Sequence, residues 1–194
     1  MNNIIFSHGN GFPASTYRCF TNDLNRRGFQ VDSIEKFGHD ARYPVTSNWP
    51  FLVQELADFA KVIHHETGEK PFLIGHSLGG LLSLMCASKH PHLTAGVVLL
   101  DSPVVGGWKA SALQLAKKTN WIGSVSPGRI SKSRRQHWPH IEAVIEHFQH
   151  KRAFAHWHPD TLRDYAEFGT VEENGERVLS FDREIETAIY NTLP

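Results

Sequence analysis

Only two cysteines, Cys19 and Cys86, occur in the 194 residues. They carry no C-x-x-C spacing, so a disulfide framework is excluded and both read as packing residues of a reducing compartment. Long hydrophobic runs are missing as well: no segment reaches the roughly 18 apolar residues of a membrane helix. The opening MNNIIFSHGNGF has neither a basic leader nor the apolar stretch of a signal peptide. The expectation is a soluble, cytoplasmic protein with no membrane partner. Charge of one sign is lacking too, since twenty basic residues balance twenty acidic ones. No global field favours a polyanion, so nucleic acid is excluded as an expected partner. Internal repeats and low-complexity stretches are absent.

What is present is the composition of one globular core, with 40% hydrophobic and 21% charged residues. Asn3 to Phe6 reads as a buried strand stopped by Gly9, Asn10, Gly11 and Pro13. Thr16 to Arg27 reads as a helix closed by Gly28, and Phe29 to Ile34 as a second strand. Trp49 to Thr67 carries apolar residues at 52, 56, 59, 60 and 63, the spacing of an amphipathic helix with Pro50 in its first turn. Phe72 to Ile74, Leu78 to Lys89 and Ala95 to Leu100 continue as strand, helix and strand. Continuous apolar strands separated by single helices predict a parallel sheet covered on both faces with right-handed crossovers. Such sheets gather chemistry at the carboxyl ends of their strands. The loops Ser7 to Phe12, Lys36 to Asp40, Gly75 to Gly79 and Asp101 to Gly107 are expected there.

Past Gly107 the chain becomes polar, rich in histidine and tryptophan, and without another strand of the buried type. Ala110 to Thr119, Ile141 to Phe154, Asp160 to Phe168 and Arg183 to Asn191 read as helices, with Asp160 near an N-cap. Val171 to Phe181, broken by Asn174-Gly175, reads as a small hairpin. The expectation is an α/β core over residues 1–103 and a mostly helical cap with a return segment over residues 104–194. The pairs His137/His140 and His147/His150 share i, i+3 spacing and would each lie on one helix face, where a metal could bind. No carboxylate or cysteine completes a motif, so a solvated polar face is expected and no metal is assigned. Lys132 to Arg135 either binds an anionic group or pairs with acidic residues of the core, and pairing is expected. Trp108, Trp121, Trp138 and Trp157 either pack between helices or line an acyl pocket.

GHSLGG, Gly75 to Gly80, lies between an apolar strand and an apolar helix. A serine in such a G-x-S-x-G elbow is held on a sharp turn, and the flanking glycines lack the Cβ atoms that would clash. Ser77 is therefore a candidate nucleophile, with the positive end of the following helix aimed at it. Together with SHGNGFP at Ser7 to Pro13 and FGHD at Phe37 to Asp40, the elbow resembles the α/β-hydrolase superfamily, and specifically a cap-containing, esterase-like serine hydrolase. HGNGFPASTY, LLDSPVVGGWKA and FDREIETAIYNTLP are similar to a group of bacterial cap-containing members.

The resemblance implies a partial α/β-hydrolase sheet, truncated at both ends, with helices on both faces. It assigns the oxyanion hole to the backbone N–H groups of Leu78 and Asn10. It makes His8 and His39 loop-shaping residues and His76 a supporting one. Asp101, at a strand end, is either the triad acid or a loop and cap anchor. The triad histidine is expected after the cap and is not identifiable in this chain. A strand edge left uncovered is expected to promote self-association. The implied activity is hydrolysis of a small-molecule carboxylic ester or thioester through a Ser77 acyl-enzyme, without cofactor. The alternative is a non-catalytic truncated or split fragment.

Overall fold

The computed structural model describes residues 2–104, 131 and 134–194. Its centre is a parallel sheet in the order β2-β1-β3-β4, formed by β1 (Asn2–Ser7), β2 (Phe29–Ser33), β3 (Phe72–His76) and β4 (Gly96–Leu100). Register fixes what the sheet presents. Ser7 pairs with Gly75, Phe6 with Ser33 and His76 with Leu100. The loops after all four strands therefore emerge along one edge.

Alternation along β1 sends Ile5 and Phe6 to opposite faces, and both are fully buried. On the Ile5 face lie α2 (Pro50–Thr67) and α3 (Leu78–Lys89), contributing Leu52, Leu56, Ala60, Leu82 and Cys86 to a common core with Leu73. On the Phe6 face lies α1 (Arg18–Arg26), whose Phe20, with Tyr17 just before the helix, stacks against the Phe6 ring. The α/β layering read from the sequence is what forms. Val98 and Leu99 on β4 remain 42% and 38% exposed, and the outer edge of β4 has no partner strand among the described residues.

The second part keeps the expected hairpin and adds a strand to it. Besides α4 (Ile141–Gln149) and α5 (Pro159–Phe168) it contains a three-stranded antiparallel sheet. That sheet joins β5 (His137–Trp138) to the hairpin of β6 (Thr170–Glu173) and β7 (Glu176–Leu179). The hairpin turns on Asn174 and Gly175, both at positive φ, as the Asn-Gly pair requires. Two-residue β5 was missed because it has no period to read. The expected helix to Phe154 stops at Gln149, where the apolar spacing 141, 144, 145, 148 ends, and Phe154 is left in a turn segment.

His137 and His140 do not share a helix face: His137 is in β5, and His140 caps α4 by accepting the Ala143 N–H. His147 lies inside α4 and His150 at its C-cap. The N-cap of α5 is His158, with Asp160 two residues inside. The expected helix over 110–119, together with Trp108, Trp121 and Lys132, lies outside the described residues.

The last helix, α6 (Arg183–Asn191), returns to the α/β core, where Phe181, Ile185, Ile189 and Leu193 join the cluster around Leu52 and Leu56. Trp49 secures it. Asn48 and Trp49 both sit at positive φ, an uncommon conformation for such residues. In that geometry the Trp49 indole N–H reaches Ile189 O at 3.2 Å and Thr192 Oγ1 at 3.0 Å. No helix among the described residues is long and apolar enough to cross a membrane. Leu82, wholly buried between α3 and the sheet, is the natural probe of this core. Leu82→Ala is expected to cost about 2–5 kcal/mol in urea unfolding.

Candidate active site

Ser77 is the single residue between β3 and α3, at φ 52 and ψ −111. A non-glycine residue in this region is strained, and such strain concentrates where a side chain must be presented. Three contacts impose it. Ser77 N–H donates to Leu100 O at 3.1 Å, tying the elbow to the neighbouring strand. Gly79 N–H donates to His8 O at 3.1 Å. A Cβ on Gly79 would overlap the Ser7 carbonyl, so only glycine lets α3 approach β1 this closely. Gly75 and Gly80 are packed as tightly, against Gly79 and Ser102 respectively.

Asp101 follows β4 as Ser77 follows β3, and its φ of 44 makes it a second strained residue on the same sheet edge. Because His76 and Leu100 are paired in register, the two residues stand at adjacent strand ends.

The loop after β1 runs alongside. His8 is completely buried, its Nε2 accepting the Phe37 N–H at 3.0 Å while Nδ1 lies 2.8 Å from Gly9 O. Burial lowers its pKa to about 4, so the ring is neutral, with Nδ1 as the donor. Gly9 N–H donates to Tyr17 Oη at 3.0 Å, and that hydroxyl lies 2.7 Å from His76 Nδ1. His39 joins the FGHD loop to α6. Its Nδ1 lies 3.2 Å from Phe37 O, and its Nε2 accepts the Asp182 N–H at 3.0 Å.

Subtraction narrows the free donors. Phe12 N–H is taken by Gly9 O at 3.1 Å, and the Gly9 and Gly79 N–H groups are engaged as described. The N–H groups of Asn10, Gly11 and Leu78 have no acceptor among the described residues. They belong to the loop and the helix start that flank Ser77. The sequence-predicted residues Ser77, Leu78, Asn10 and Asp101 thus lie on one sheet edge. His8, His39 and His76 are there too, but each already has at least one ring nitrogen committed, and in His8 and His39 both are. No histidine among the described residues is hydrogen-bonded to the Ser77 hydroxyl.

Sequence reasoning missed how the second part of the chain grips this loop. The Phe12 ring packs on Phe154, Trp157 and Tyr165, with centroids 6.3, 6.0 and 5.2 Å away. Asn10 Nδ2 donates to Glu186 O at 2.9 Å. Arg134 forms an ion pair with Glu186 at 3.0 Å, with both side chains largely buried. The pairing expected for the basic run is therefore made with α6 rather than with the segment before residue 104. Trp138 is 1% exposed in the core around Val144 and Phe148, where it packs rather than lines a pocket. The one signal for Glu186 was a glutamate between Ile185 and Ile189 on the apolar side of a short helix. No group of three or more His, Cys, Asp or Glu among the described residues is placed to hold a metal ion.

A buried carboxyl completes the electrostatics of this edge. Glu55 Oε2 accepts the Gly38 N–H at 3.3 Å, and desolvation raises its pKa to about 7. Glu55 and His8 have opposite linkage. Between about pH 4 and 6.5 the unfolded chain protonates His8 and the folded chain does not, so this contribution, on the order of 3 kcal/mol, is complete above pH 6.5 and lost on acidification. Between about pH 4.5 and 7 the folded chain keeps on Glu55 a proton that the unfolded chain has released, so that contribution is complete below pH 4.5 and lost as pH rises.

Residues 2–161 match the model of the Hydrolase_4 family, described as serine aminopeptidase, S33. Monoglyceride lipase of Rattus norvegicus is 30% identical over 138 residues, covering 67% of this chain and 46% of that protein. The chain thus spans about half the length of the curated relatives it matches. The solved structure of E-2-(acetamidomethylene)succinate hydrolase superposes with a TM-score of 0.68 at 22% identity, covering 98% of this chain and 64% of the other. The thioesterase domain from the curacin biosynthetic pathway superposes with a TM-score of 0.64 at 20% identity, covering 96% and 66%. These two likenesses establish the fold.

Two outcomes follow from the geometry. Gly79→Ala is expected to destabilise at the upper end of the roughly 1–3 kcal/mol of overpacking, measured by urea unfolding. Glu55→Gln is expected to make the urea midpoint fall more steeply than wild type between pH 7 and 4, because the opposing His8 contribution is then no longer offset by Glu55.

Proposed function

We propose, on the premise that this chain belongs to the Hydrolase_4 family of serine aminopeptidase S33 type within the α/β-hydrolase superfamily, that Ser77 is the nucleophile of a serine hydrolase acting on carboxylic esters or thioesters. The observation that carries the reading is the strained Ser77 turn between β3 and α3, flanked by unengaged N–H groups that include those of Leu78 and Asn10. In this reading Ser77 Oγ adds to the acyl carbon as its proton passes to a base. The oxygen that becomes negative is received by the Leu78 and Asn10 N–H groups and by the positive end of α3. Collapse of that intermediate expels an alkoxide or thiolate, which takes up a proton, and water then releases the acid from the acyl-serine.

The base in this reading is neither His8 nor His39, whose ring nitrogens are all engaged, and His76 has its Nδ1 on the Tyr17 hydroxyl. Asp101 is the carboxylate available to orient the base. The lipase relative supports the ester class, and the thioesterase likeness, at 20% identity, contributes only the fold.

The committed histidines favour a second reading, in which the chain is a non-catalytic fragment that keeps the fold. A fluorophosphonate probe separates the two. Labelling of Ser77 that disappears in Ser77→Ala, together with turnover of p-nitrophenyl esters, is expected of the hydrolase. A folded sample that neither labels nor turns over would leave the fragment reading standing.

A further inference from the structure

We infer that Glu186 and Arg134 are positioning residues for the oxyanion loop, setting the backbone of Asn10 and Gly11 from the side opposite the sheet. This rests on the assignment of the Asn10 N–H as an oxyanion donor. The contacts that the α/β core makes with this loop end early. His8 is fixed by Phe37 N–H and Gly79 N–H, and Gly9 by Tyr17. Residues 10–12 are held instead from α6 and from the segment beyond residue 131.

Those contacts close into a ring. Gly11, at φ 79, lies directly beneath the pair: a Cβ there would come within 2.6 Å of Glu186 Oε1 and 3.0 Å of an Arg134 guanidinium nitrogen. Both Glu186 carboxylate oxygens accept from the same Arg134 nitrogen, at 3.1 and 3.0 Å. The other terminal nitrogen of Arg134 donates to the Tyr165 hydroxyl. The fully buried Tyr165 ring packs on Phe12, and Phe12 is covalently joined to Gly11. Inside the ring the Glu186 carbonyl receives the Asn10 side chain. The Phe12 N–H to Gly9 O bond, which closes the turn through Asn10 and Gly11, is the element that the ring holds in shape.

A buried ion pair adds little net stability over apolar residues of equal volume, because desolvation offsets most of the attraction. What it supplies here is direction: a planar guanidinium and a carboxylate fix each other's orientation, and both abut a glycine with no side chain to cushion the contact. Removing both charges together therefore separates positioning from stability.

The test compares wild type with the double variant Arg134→Met/Glu186→Gln, reading amide exchange by NMR at position 12 and at Ile5 and Leu73 in the sheet. Exchange at position 12 is expected to quicken at least tenfold while the sheet amides keep their protection. Unchanged exchange at position 12, or equal loss in the sheet, would overturn the inference. Phe12→Leu loosens the same ring without touching its charges and carries the same expectation if the double variant does not fold. In parallel, the fluorophosphonate labelling rate at Ser77 is expected to fall about 10²-fold, the effect of losing one oxyanion donor. A loosened loop with undiminished labelling would also overturn the inference. If wild type does not label at all, the serine-hydrolase reading fails, and the exchange measurement alone decides whether Glu186 and Arg134 hold the loop.

Discussion

The approach of α3 to β1 at Gly79 is the contact on which the remaining geometry depends. Helix and strand touch through backbone alone, because no side chain fits between Gly79 and the Ser7 carbonyl. That closeness lets Gly79 N–H reach His8 O, which fixes where the first loop leaves the sheet. It also forces the chain at Ser77 through a turn that other residues avoid. Strain at one residue is thus balanced by packing over a helix and two strands, as expected where a side chain must be presented rather than buried.

The second part of the chain is attached to this arrangement through the loop it covers. Phe12 enters the aromatic core of the second part, and Asn10 and Gly11 rest on α6. A single stretch of five residues, His8 to Phe12, is therefore common to the α/β core, the aromatic cluster and the returning helix. Further from the loop, Arg18 and Cys19 at the start of α1 both bind the buried Asp164 of α5, so the two parts also meet on the outer side. The two parts are joined at the points where the loop and α1 would otherwise be free to shift.

How much of this could be read from residues alone depended on the range of the interaction. The four strands, α3 and α6 were legible because apolar period and punctuation are local. Leu78–Lys89 and Arg183–Asn191 end where glycine, proline and polar residues had placed them. Ser77 was legible because an elbow needs its glycines at fixed offsets. The short strand at His137–Trp138 was not, since two residues have no period and it exists only by pairing with Val178 and Arg177. Nor was the partner of Arg134, because Glu186 lies 52 positions away and nothing in the local pattern of either residue specifies the other. The helix face expected to be shared by His137 and His140 failed for a related reason, since His137 pairs in a strand and His140 caps a helix start.

The bond from the Trp49 indole to Ile189 and Thr192 spans 140 and 143 positions. Closing a loop of that length costs about 4 kcal/mol in chain entropy before any contact offsets it. A nascent chain that has already paired its four strands still lacks α6, so the apolar floor formed by Leu52 and Leu56 stays open and the loop at Asn10 has nothing to rest on. Such long-range closure slows folding. It also ties the shape of the loop at Asn10 to the docking of α6, the same contact that closes the core around Leu52 and Leu56.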